Sequence, residues 1–232
     1  MASFLVDHVL GIEVVYTLIV VVSALIIHGR TRRLYALTGH AGIGAFRSAF
    51  LYFALGFFVR FCLVLLDQGV LTFEAVGTVL TVLFGVLTYY FLCVGAFSLV
   101  YSMTWKQFSE RHRILLLHAA SLVIALGTVF YMRYLMYVAV LGGLLYAITI
   151  AYGNYLQAEH KNSRPSVRHY LQAYFIGLIL VWLGFAVNFL GELVLPSYPL
   201  FLYVIYSVTT LTMLLMLYGV LRVVQWPRNV NV

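Results

Sequence analysis

The chain has 232 residues, of which 64% are hydrophobic and 9% charged, with a mean hydropathy of +1.01. Soluble domains carry about 25% charged residues, so a soluble enzyme or binding domain is excluded and an integral membrane protein is indicated. The formal charge of +7 does not point to nucleic acid, because the basic residues sit between apolar runs and no nucleic-acid motif accompanies them.

The start, MASFLVDHVLGIEVVYTLIV, has acidic rather than basic residues before its apolar run and lacks a small-residue cleavage site. A removable signal peptide is not expected there, and the first helix should stay. Seven apolar runs of about 20 residues, each long enough to span a bilayer, follow one another along the chain. They lie near 9–29, 45–67, 76–102, 113–131, 133–154, 169–193 and 199–224. The expected fold is an all-α, seven-transmembrane-helix bundle forming one domain over residues 1–232. The fourth and fifth runs are separated only by Met132, Arg133 and their neighbours, which predicts a tight helical hairpin.

Charge sets the expected orientation. Arg30, Arg32, Arg33 and Arg47 flank the first loop, and Lys106, Arg111 and Arg113 the third. Lys161, Arg164 and Arg168 flank the fifth, and Arg222 and Arg228 follow the last run. Only Arg60 and Arg133 lie towards the opposite face, together with Asp7, Glu13, Asp67, Glu74 and Glu192. The positive-inside rule places the N-terminus outside and the C-terminus in the cytoplasm of a multi-pass plasma-membrane protein. All four prolines, Pro165, Pro196, Pro199 and Pro227, fall in loops or the tail, so unbroken helices are expected, which counts against a transporter built on discontinuous helices.

Arg60 lies seven residues before Asp67 in the second run, roughly 10 Å below that end of the helix at 1.5 Å of rise per residue. A charge at that depth needs a partner or a wet cavity. Glu13, Tyr16 and Thr17 share one face of the first helix, and Asn188 and Glu192 one face of the sixth. Arg133 and Tyr134 open the fifth helix, and Tyr203 and Tyr206 lie in the outer half of the seventh. If these faces converge, an outward-facing pocket forms in which Arg60 supplies a fork for a small polar or anionic ligand. The ligand-binding candidates are Arg60, Glu13, Tyr16, Asn188, Glu192 and Arg133; the competing reading is a plain Arg60–Glu13 ion pair that locks helices one and two.

Other chemistries are less well supplied. His28 and His118, on the first and fourth helices, are the one histidine pair at similar depth that would offer axial ligands to a b-type haem. No HExxH or CxxCH motif supports a cofactor, and Cys62 and Cys93 form neither a CxxC motif nor a disulfide framework. Retinal is excluded, since both lysines, Lys106 and Lys161, are in loops and none is available within a helix for a Schiff base. Catalytic and metal-binding residues are not expected, and the chain does not read as an enzyme. Thr88, Tyr89 and Tyr90 sit mid-helix in the third run, as cavity lining or as bonds to a neighbour, and Gly95, Gly142, Gly143, Gly177 and Gly184 are candidates for close helix contacts.

One internal match is present. RSAFLYFALG, Arg47 to Gly56, aligns with RHYLQAYFIG, Arg168 to Gly177, and superposes helix two on helix six. The match is weak, an arginine at the interface, aromatic residues and a glycine, which cytoplasmic helix starts also produce by chance; a true repeat would give two three-helix halves around a linker helix. The segment HGRTRRLYALTGHAGIGAFRSAF mixes basic residues with Leu34, Leu37, Ile43 and Phe46, as in a piece lying on an anionic leaflet. Its basic residues, Leu34, His40, Gly42-Ile43, Phe46-Arg47 and the aromatic run Phe50 to Phe53 resemble uncharacterised seven-helix membrane proteins of archaea. The resemblance implies the topology and no activity.

The sequence therefore predicts a non-enzymatic, receptor-like or accessory module in the lipid bilayer, holding a small ligand or a partner's membrane segment in its outer half. A cytoplasmic protein partner would receive the signal. The alternatives are a small-solute transporter of 3+1+3 plan and a haem-bearing electron-transfer subunit.

Overall fold

A computed structural model describes residues 2–67, 76–104, 110–160, 165–194 and 201–225. Its elements are the helices α1 (Ala2–Thr38), α2 (Ala41–Asp67), α3 (Gly77–Thr104), α4 (Glu110–Phe130), α5 (Leu135–His160), α6 (Pro165–Val194) and α7 (Phe201–Gln225). Pro165, expected in a loop, is the first residue of α6, where its missing amide hydrogen costs no helical bond. With no proline in their interiors, the long apolar segments satisfy their backbone polar groups internally, which is the condition a hydrocarbon solvent imposes. Six of the helices are long and apolar enough to cross a membrane. The exception is α4, whose apolar stretch Ile114–Phe130 has 17 residues. That is about 26 Å of helix, at the low end of what a ~30 Å hydrocarbon layer accepts.

Six helices close into a ring in the order α1, α2, α3, α5, α6, α7, with α7 packing back on α1. Outside the ring, α4 rests on α3 and more lightly on α5. Its outer face is apolar and open, with Leu115 and Val123 among the most exposed large side chains. The distribution of polarity is that of a membrane protein: exposed leucines, valines and tyrosines surround the bundle, while Glu13, Thr17, Thr88, Ser121, Thr209 and Thr212 are buried. The α4–α5 hairpin turns over residues 131–134, and the Thr128 hydroxyl ties it by accepting the Met136 amide at 3.1 Å.

The first basic segment is helical, and its first part continues α1 without a break. Arginine, leucine and alanine are good helix formers, and α1 continues through them to Thr38. It stops at Gly39, whose φ of 59° closes the helix with a bond from its amide to the Tyr35 carbonyl. α2 starts two residues later. At 37 residues, α1 is about 55 Å long, well beyond what a bilayer core covers.

The predicted glycine contacts divide. A Cβ at Gly95 would stand 2.7 Å from the Phe53 ring, and one at Gly177 2.6 Å from the Met216 sulfur. Gly143 approaches the Phe97 ring less closely, Gly184 has only ordinary contact with Thr212, and Gly142 faces open space.

Candidate functional site

The charged centre is built by three helices near the bundle's N-terminal end. The Nη1 of Arg60, on α2, donates to Oε1 of Glu13, on α1, at 2.6 Å. Glu13 keeps 1% of its side-chain surface open and Arg60 27%. The guanidinium carbon lies 5.6 Å from the Tyr16 ring centre and 5.7 Å from that of Tyr206, on α7. Those two rings stack at 4.5 Å, so the cation sits against a paired aromatic wall that favours it electrostatically. The Tyr206 hydroxyl is within electrostatic reach of both Glu13 and Arg60, yet Oε2 of Glu13 has no hydrogen bond of good geometry.

Beside this centre, inside the ring, is a cavity of about 220 Å³. Pockets for drug-sized ligands run to ~300–1,000 Å³, so this one suits a small solute. Arg60, Leu63, Asn188 and Glu192 line it towards the N-terminal end, and Thr88, Tyr89, Tyr137 and Thr209 along its sides. Phe53, Leu92, Val181 and Met213 make an apolar floor. Asn188 spends both amide hydrogens, on the Gly184 carbonyl at 2.7 Å and the Thr209 hydroxyl at 3.2 Å, which leaves its carbonyl oxygen as an acceptor. Thr88 is 4% exposed and its hydroxyl has no hydrogen-bond partner. An unpaired buried hydroxyl costs about 1–3 kcal/mol, a deficit that a ligand with a polar atom removes.

The sequence candidates are thus brought together in two groups. Arg60, Glu13 and Tyr16 form the charged centre, and Asn188 joins the cavity wall. Arg133 and Glu192 pair with each other, Nε and Nη2 of the arginine reaching one carboxylate oxygen at 3.1 and 2.5 Å. This bond holds the Arg133 guanidinium above its ordinary pKa range. The pair ties the α4–α5 turn to α6 at the rim, and 63% of the Arg133 side chain is open. Glu192 is therefore committed to Arg133 and does not compete with Glu13 for Arg60. The side chain of Asp67 lies outside the described residues. Tyr203 is half-buried near the start of α7.

The two histidines are engaged separately. His28 contacts the Arg47 carbonyl through Nδ1 at 2.9 Å and the Arg47 Nη2 through Nε2 at 3.1 Å. Arginine only donates, so Nε2 accepts and Nδ1 carries the hydrogen. His118, on the peripheral α4, meets the Tyr90 hydroxyl at 2.8 Å and the edge of Tyr52. Tyr90 thus bonds to a neighbouring helix, whereas Thr88 and Tyr89 line the cavity.

Sequence reasoning missed Tyr137, Thr209 and Thr212. A signal existed for the threonines: SVTTLT is an unusually polar run inside an apolar helix, and Thr209 and Thr212 are three residues apart on one face.

No family model matches the chain, and no solved structure does. The chain is similar to an uncharacterised protein of the archaeon Archaeoglobus fulgidus. The two are 26% identical over 219 residues, covering 90% of this chain and 91% of the relative. The archaeal likeness is thus nearly colinear from end to end.

Proposed function

We propose that the chain is a membrane-embedded recognition module that takes a small polar solute, neutral overall, into the cavity beside Arg60. The observation that carries this reading is the buried Thr88 hydroxyl, left without a partner on the wall of a cavity that also presents Arg60 and the Asn188 carbonyl oxygen. Each arginine near the cavity already has its counter-ion, Glu13 for Arg60 and Glu192 for Arg133. A net anion would add an uncompensated charge to a low-dielectric space, so a neutral molecule or a zwitterion is the better guest.

The seven helices form one domain that crosses the plasma membrane seven times, with α4 as the short span. The basic end of the bundle faces the cytoplasm and the cavity opens outwards. The tyrosines and threonines around the cavity supply hydrogen bonds to an incoming molecule, which suits recognition.

Native mass spectrometry of the detergent-purified protein, followed by thermal melts with a panel of amino acids, polyols and small carboxylates, tests the reading. A retained small mass, or stabilisation by a neutral member of the panel, supports it. Stabilisation by carboxylates alone would overturn the neutral-guest assignment, and no mass with no stabilisation would overturn recognition itself.

A further inference from the structure

The ring has a property that the order of its helices makes visible. Exchange α1 with α5, α2 with α6 and α3 with α7, and every neighbouring pair maps onto another neighbouring pair: α1–α2 onto α5–α6, α2–α3 onto α6–α7, and α3–α5 onto α7–α1. Three spans leave a chain on the opposite side of a bilayer, so a second triplet of the same orientation requires one extra span. α4, outside the ring, is that span.

The short internal match fixes a register. Arg47 with Arg168 and Gly56 with Gly177 are each 121 residues apart. Gly56 and Gly177 do the same work in the two halves: a Cβ on the first would press on Leu92 of α3 at 3.0 Å, and on the second on Met216 of α7 at 2.6 Å. The same register, which owes nothing to the cavity, places five pairs of cavity-lining residues on one another. It places Arg60 on Val181, Leu63 on Gly184 and Val64 on Phe185, all cavity-lining. On the other helix pair it places Thr88 on Thr209 and Leu92 on Met213, again all cavity-lining. Tyr16 falls on Tyr137, both buried. The cavity therefore straddles an approximate two-fold axis between the halves.

Below the cavity, towards the C-terminal end, the two halves meet through aromatic rings. α2 and α6 stand opposite each other in the ring, yet Phe53 reaches Phe185 at 6.1 Å and Phe46 reaches Tyr174 at 5.4 Å. The Tyr174 hydroxyl bonds that of Ser102, on α3, and Phe50 is fully buried beside them. No covalent link and no ion pair among the described residues joins α2 to α6 in this plug. The plug lies on the C-terminal side of the cavity, whose floor includes Phe53.

We infer that α1–α3 and α5–α7 are two parallel repeats and that the protein carries its small neutral polar solute across the membrane. The halves rock about the shared cavity, and the Phe46–Phe53–Tyr174–Phe185 plug is the gate on the C-terminal side. This inference rests on the cavity being a solute site, and adds that the site is reached in turn from both faces.

A thiol-accessibility experiment separates the two claims. In a background lacking Cys62 and Cys93, Thr209→Cys in right-side-out and inside-out membrane vesicles is exposed to a membrane-impermeant methanethiosulfonate. Labelling from both faces is the expected result. Phe53→Ala and, separately, Tyr174→Phe should raise the rate from the C-terminal face about tenfold, the change that ~1.4 kcal/mol of bias on a two-state gate produces. The rate from the N-terminal face serves as the folding control for both variants. Labelling from the N-terminal face alone, unchanged by either gate substitution, would overturn transport and leave recognition standing. Labelling from neither face would overturn the solute site as well.

Discussion

Arg60 and Glu13, 47 residues apart in the chain, meet at 2.6 Å with the carboxylate sealed from solvent and the guanidinium partly open to the cavity. The one contact serves both readings of Arg60, as a lock between α1 and α2 and as the cation beside a solute. Separating them depends on what each substitution leaves unpaired.

Arg60→Leu strands a buried carboxylate. Removing one partner of a buried pair costs ~3–5 kcal/mol, and the partial exposure of Arg60 puts the expected loss at the lower end. Arg60→Leu with Glu13→Gln should recover most of it, because no uncompensated charge remains. A double-mutant cycle from denaturation in detergent measures this. An Arg60→Leu protein as stable as the wild type would show that the pair is not formed.

Thr88→Val removes a hydroxyl that nothing satisfies. The empty variant should melt no lower than the wild type, and higher if the full ~1–3 kcal/mol penalty is relieved. Stabilisation by the bound solute should fall in the same variant. Paired thermal melts with and without the stabilising member of the solute panel read both effects; a lower melting temperature for the empty variant would show that the hydroxyl is already bonded.

Two glycines in the bundle are expected to behave oppositely. A Cβ at Gly42 would lie 2.7 Å from the backbone carbonyl oxygen of Ser102, an atom with little freedom to move aside. Gly42→Ala should cost about 1–3 kcal/mol by overpacking the start of α2 against α3. Gly142 meets nothing within 4 Å, so Gly142→Ala should be neutral or stabilising by up to about 1 kcal/mol through helix propensity. Melting curves of the two variants decide both points.

Orientation is read by labelling. In a cysteine-free background, Thr72→Cys should react with an impermeant maleimide on intact cells and Asn162→Cys should not. The reverse pattern would put the cavity on the cytoplasmic side.

The helices were legible because apolar runs and loop punctuation are local properties: the runs near 45–67 and 169–193 fall within α2 and α6. The end of α1 was not legible. Arg30 to Arg33 read as the start of a loop, but charge does not stop a helix, and the stop came at Gly39, where the backbone turns left-handed. That Arg60, Glu13 and Tyr16 could meet was legible because a charge in an apolar run is conspicuous, as was Glu13's face three and four residues on. Tyr137 and Thr209 were not, since a tyrosine or threonine in an apolar helix looks alike on every face until its neighbours are known.

The sequence by itself determined the all-helical class, the extent of most helices and the burial of charge around Arg60, because hydrophobicity and helical period act within one segment. Only the tertiary structure decided which carboxylate takes which arginine, that α4 stands outside a ring of six, and that aromatic rings of α2 and α6 meet beside the cavity. Those outcomes depend on how faces from distant segments pack, and packing is settled by the shapes and polar needs of all the helices together.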